Sequence, residues 1–92
     1  MDPRVREAVL EKIHAAMSDT SELAEIIERL KNLPVGSKSD FAYGVAIGRI
    51  YNSFHYQTRR ILKRNATHQE FDEFLDLLEQ NASAIKSALG GK

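Results

Sequence analysis

Three polar side chains in the middle of the chain are spaced for joint chemistry. Tyr51, His55 and Arg59 recur at every fourth residue, which on a helix stacks them one turn apart along a single side. A phenol, an imidazole and a guanidinium in a row can wall a polar pocket in which His55 carries a proton. The same set also makes the hydrogen-bonded rim of a core or of a subunit seam, and this is the expectation taken forward. His14 and His68 stand apart from it, and no His/Glu pair at helical spacing points inward, so no metal ligand set is expected. No glycine-rich phosphate loop and no nucleophile beside a base is visible either, and the chain has no cysteine. No cofactor is expected.

The densest charge lies just downstream, in Arg59-Arg60-Ile61-Leu62-Lys63-Arg64. With Tyr56 as a ring on which a base can stack, Arg59, Arg60, Lys63 and Arg64 form a candidate nucleic-acid-binding stripe. A ligand is not required to explain them. Cations suit a helix C-terminus and carboxylates suit the N-terminus of the next helix, because each opposes the local end of the helix dipole. Arg60, Lys63 and Arg64 are therefore expected close to Glu70, Asp72 and Glu73 across a short turn. The segment Arg49-Ile50-Tyr51-Asn52-Ser53-Phe54-His55 also resembles the loose Arg-x4-6-His signature of HEPN-type helical ribonucleases. That resemblance implies an all-helical RNA-cleaving site built on Arg49 and His55, and it ranks third among the functional expectations. On one continuous helix the two side chains point about 120° apart.

Composition bounds the rest. Ninety-two residues, 42% apolar and 28% charged, suit one globular domain spanning 1–92. Thirteen basic and thirteen acidic side chains cancel, so no overall field favours nucleic acid or membrane. The charge is nevertheless segregated. Residues 1–36 carry five basic and seven acidic groups, residues 37–66 six and one, and residues 67–92 two and five. Neighbouring segments of opposite sign imply charge matching within the fold. No basic-then-apolar leader and no apolar run of membrane length is present, so a cytoplasmic protein without a membrane span is expected. On that basis the sequons Asn65-Ala66-Thr67 and Asn81-Ala82-Ser83 are chance matches.

Periodicity predicts an all-α protein, a four-helix bundle with two short N-terminal helices packed on a long antiparallel hairpin. Helix 1 is expected over 3–17, capped by Asp2, with Val5, Val9, Leu10, Ile13, Ala16 and Met17 on one side. Helix 2 is expected over 20–33, opened by an Asp19/Glu22 capping box, with Leu23, Ile26, Ile27, Leu30 and Leu33 inward and Pro34 and Gly36 ending it. Helix 3 is expected over 39–65, its buried sector holding Tyr43, Ile47, Ile50, Phe54 and Ile61, extended by Tyr51, Thr58 and Leu62. Helix 4 is expected over 68–89, opened by a Thr67/Glu70 box and ended by Gly90-Gly91, with Phe71, Phe74, Leu75, Leu78, Ala82, Ile85 and Leu89 inward and Leu77 and Ala88 at the edge. Asn81 falls inside that stripe, either as a buried register-setting amide or facing a gap.

Two features point to a partner. Gly44 and Gly48 lie one turn apart in the apolar half of helix 3, where each costs about 1 kcal/mol relative to alanine. They either admit another backbone or relieve crowding against helix 1 or 2. Phe41 and Val45 are apolar residues on what should be the wet side. Short helices cannot cover a hairpin about 35 Å long, so the surplus apolar surface predicts a homodimer whose interface includes Phe41, Gly44, Val45, Gly48 and Tyr51. The favoured function is a non-enzymatic one, protein–protein association with a second copy or with another protein; nucleic-acid binding comes second.

Overall fold

Three of the four helices are started by the same device. The side chain of Asp2 accepts a hydrogen bond from the Arg4 backbone N–H at 2.8 Å, Ser37 accepts from Asp40 at 3.2 Å, and Thr67 accepts from Glu70 at 3.1 Å. Each satisfies a first-turn donor that no intrahelical carbonyl can reach. At Thr67 the bond is reciprocal, because Glu70 accepts from the Thr67 N–H at 2.8 Å and completes the expected box. The computed structural model, which describes residues 1–30, 32 and 34–89, accordingly shows α1 over Pro3–Ser18, α2 over Ser21–Arg29, α3 over Lys38–Leu62 and α4 over His68–Ala88, with no strand among the described residues. The all-α bundle anticipated from periodicity is the architecture observed. α1 packs along α3 and also touches α4, while α2 lies on α3 alone. Asp40 meets Lys86 at one end of α3 and Arg64 meets Glu70 at the other, so α3 and α4 run antiparallel.

The core is built from Val5, Val9 and Ile13 of α1, Leu23 of α2, Ala46, Ile50 and Phe54 of α3, and Phe74, Leu77, Leu78 and Ile85 of α4. Its centre is a pair of stacked rings, Phe54 and Phe74, with centroids 4.4 Å apart and planes 8° from parallel. Both are fully buried. Thr58, the one buried polar residue among those described, donates its hydroxyl to the Phe54 carbonyl one turn back at 2.8 Å. Asn81 does the same, donating to the Leu77 carbonyl at 2.8 Å. The Asn81 side chain is thus half-buried and donates within its own helix.

Several boundaries and faces differ from expectation. α2 stops at Arg29 with Leu30 as its C-cap, short of the expected 33; Lys31 and Leu33 lie outside the described residues, as do Gly90 and Gly91, the expected terminators of α4. The Asp19/Glu22 box does not form. Asp19 instead accepts from the backbone and hydroxyl of Ser21, so that Thr20 becomes the N-cap. Two hydrogen bonds hold this carboxyl below the ordinary carboxylate range, chiefly the one from the Ser21 hydroxyl. α3 ends at Leu62 because Lys63 turns left-handed, φ 59° and ψ 29°, a conformation that closes a helix but taxes any residue with a Cβ.

The buried line of α3 is Ala42, Ala46, Ile50, Phe54 and Thr58, not one centred on Tyr43 and Ile47, which are only half-buried. Small side chains let the adjacent helix come close, so the alanines turn inward and the larger neighbours are left at the margin. Tyr51, expected at the edge of the buried sector, is 47% exposed. In α4 the roles of two leucines are exchanged: Leu77 is buried and Leu75 is 44% exposed.

Candidate interaction face

Gly44 and Gly48 face outward. On α3 they fall opposite Ala42 and Ala46, and both are exposed. A methyl group built on either would meet nothing within 4 Å among the described residues, so neither glycine is there to relieve crowding from its own chain. Phe41 and Val45 flank them half-buried, Val45 reaching the core. Tyr51 continues the line by one turn. Its ring meets Phe71 of α4 edge-on at 6.3 Å, which joins this side of α3 to one side of α4. There, Phe71, Leu75 and Ala82 follow at helical spacing, with Leu75 the most open of the three. The result is an apolar strip two helices wide, floored by two glycines. The α4 half was missed in sequence because Leu75 fits the core stripe of α4 as well as Leu77 does; neighbouring leucines blur the period.

Tyr51, His55 and Arg59 do share a side of α3, but the surroundings of His55 are aromatic. Its ring lies 4.8 Å from Tyr51, 4.9 Å from Phe54 and 6.2 Å from Phe71, centroid to centroid. Arg59 is exposed beyond them and makes no ion pair among the described residues. The imidazole is thus a side of a ring cluster, half-buried at the edge of the apolar strip. Arg49 points elsewhere: its guanidinium reaches Glu22 of α2 at 3.9 Å. The structure does not bring Arg49 and His55 together, as expected for positions a third of a turn apart on a continuous helix.

The basic run divides in the same way. Arg64 grips Glu70 with both ends of its fork, Nη1 to Oε1 at 2.8 Å and Nη2 to Oε2 at 3.0 Å. With the Thr67 N–H also donating, the Glu70 carboxyl is pulled down to about 2, the Arg64 contact being the larger cause. Of the expected cross-turn pairs this is the one formed. Asp72 instead faces His68 at 3.4 Å and Glu73 takes the N-terminal ammonium at 2.6 Å; the left-handed turn at Lys63 aims Arg64, and not Arg60 or Lys63, at the start of α4. Arg60 donates to Gln57 at 2.8 Å. Lys63 makes no ion pair among the described residues, and Tyr56 is 54% exposed. Arg60 and Lys63 border an open groove of about 730 Å³ against Arg4, Glu7 and Glu11 of α1; the contribution of Arg4 was not foreseen, and the two carboxylates leave the groove mixed in charge.

No described helix is long and apolar enough to cross a membrane, and among the described residues no group of three or more His, Asp or Glu side chains is placed to hold a metal ion. The chain matches no protein-family model, no curated protein and no solved structure.

Proposed function

We propose that the protein works by association, as a homodimer joined through the strip formed by Gly44, Gly48 and Tyr51 of α3 and Phe71 and Leu75 of α4, its remaining helix surfaces being available to another protein. The supporting observation is the open space over the two glycines. A helix interior tolerates two such residues at a cost of about 1 kcal/mol each, and none of the described residues uses the room they leave. Surface area agrees. The chain exposes 6043 Å², where a compact monomer of 10.4 kDa exposes about 5,400 Å². The radius of gyration is 14.1 Å against about 12.3 Å for a compact domain of this length. The surplus approaches the roughly 800 Å² that each partner hides in an ordinary interface. A cysteine-free chain also suits the reducing cytoplasm.

Sedimentation equilibrium at micromolar concentration tests this. The expected mass is twice 10.4 kDa, and a single 10.4 kDa species overturns the proposal. Gly48→Ala discriminates further. In an isolated chain it adds about 1 kcal/mol of stability by raising helix propensity, whereas across a close helix pair the new methyl weakens the dimer. Greater stability with unchanged mass counts against the interface.

A second reading has its own observation. Tyr56 is more than half exposed, and Arg59 and Lys63 carry no partner charge among those described. Binding of single-stranded nucleic acid through these three should weaken steeply as salt rises, and an affinity flat in salt removes it.

A further inference from the structure

The strip on α3 has a symmetry that the dimer reading above, on which this inference rests, does not require. Phe41, Gly44, Gly48 and Tyr51 are separated by three, four and three residues, so the pattern reads ring, glycine, glycine, ring from either end, with Ala46 at its centre. A helix laid antiparallel on its own copy about that centre would set Phe41 level with Tyr51 of the partner subunit, and Gly44 level with Gly48 of the partner subunit. Each glycine pair leaves room for the backbones to approach, and each ring fills the step beyond them.

A parallel pair would also match ring with ring, but the charges oppose it. The first half of α3 carries Lys38 and Arg49 against its sole carboxylate, Asp40, whereas its last turn and C-cap carry Arg59, Arg60 and Lys63 with no carboxylate among them. Parallel packing would bring two such basic ends side by side. Antiparallel packing moves each about 20 Å to opposite sides of the centre at 1.5 Å per residue, several screening lengths apart at physiological salt. It also sets the two helix dipoles head to tail.

We propose that two copies of this chain pair by an antiparallel crossing of α3 on α3, with the two-fold axis on the glycine side of the helix at the level of Ala46, and Phe41 of each copy covering Tyr51 of the other. The absence of native cysteine makes a clean test. Gly44→Cys and Gly48→Cys each introduce one thiol at a position open enough to accept it. The two variants are mixed, one of them labelled with nitrogen-15 so that mass separates the products, and then oxidised. Antiparallel crossing puts Cys at 44 opposite Cys at 48, within bridging range, while like positions are displaced by about 6 Å along the axis in addition to the gap between the helices, which disfavours a disulfide between them. The mixed disulfide is therefore expected to predominate. Like-with-like products, or a statistical mixture, overturn the antiparallel crossing and leave association standing. If the untagged parent sediments as a monomer and neither disulfide forms, the association itself is lost as well.

Discussion

The two halves of α3 are held in opposite ways. Its C-terminal half is closed by its own chain. Phe54 stacks on Phe74, Thr58 bonds back to Phe54, and beyond the helix end Arg64 clasps Glu70 across a fully capped turn. Its N-terminal half buries only two alanines and Ile50 on one side and presents two glycines on the other. The link to α4 there is an exposed ion pair, Lys86 to Asp40 at 3.3 Å, with the same ammonium 5.8 Å above the Tyr43 ring. One half is closed by contacts of its own chain; the other leaves backbone room that none of the described residues occupies. The difference teaches where the stability of the single chain resides and where a partner has something to add.

Four substitutions break or sharpen that contrast. Phe54→Ala removes the central ring of the closed half and should cost about 3–5 kcal/mol, read as a collapse of the urea midpoint; a loss below 1 kcal/mol would mean that the ring stack is not the anchor. Glu70→Gln removes both the fork to Arg64 and the charged half of the capping box, for about 1–2 kcal/mol at neutral pH. Its pH dependence has a definite sign. The folded carboxyl titrates at about 2 against 4.5 ordinarily, so its contribution is complete above about pH 4.5 and fades as the pH falls toward 2. The parent and Glu70→Gln should therefore converge in stability in strong acid. Lys63→Gly relieves the left-handed turn and should stabilise the chain by about 0.5–1 kcal/mol, visible as a raised thermal midpoint. Lys86→Ala, on the open half, should cost only a few tenths of a kcal/mol, because its ion pair is exposed on both sides. A loss as large as that of Glu70→Gln would erase the contrast between the halves.

Much of this was legible in the residues and some was not. The caps at Asp2 and Thr67, the core line of α1 and the number of helices follow from short-range rules. Capping depends on residues three apart and amphipathicity on residues three and four apart, both visible in a linear string. The inward face of α3 was legible only approximately, since size alone favours Tyr43 and Ile47 over Ala42 and Ala46. Burial there is decided by how near the neighbouring helix comes, which small side chains permit. Leu75 and Leu77 compete for the same role by hydrophobicity, and only the position of α3 separates them. In the strip itself Gly44, Gly48 and Tyr51 were legible as unusual, but not as open, because a glycine reads alike in a crowded groove and on a bare surface.

From the sequence alone came the helical class, the places where helices begin, the alternating charge of the three segments and the oddity of two glycines in an apolar helix. All of these arise from contacts within one or two turns. Tertiary structure decided which side of α3 is covered, which leucine of α4 is left out, that Arg64 and not its basic neighbours meets Glu70, and that no part of the described chain fills the space above the glycines. Those outcomes depend on how four rods share one core, and residues far apart in sequence settle them together.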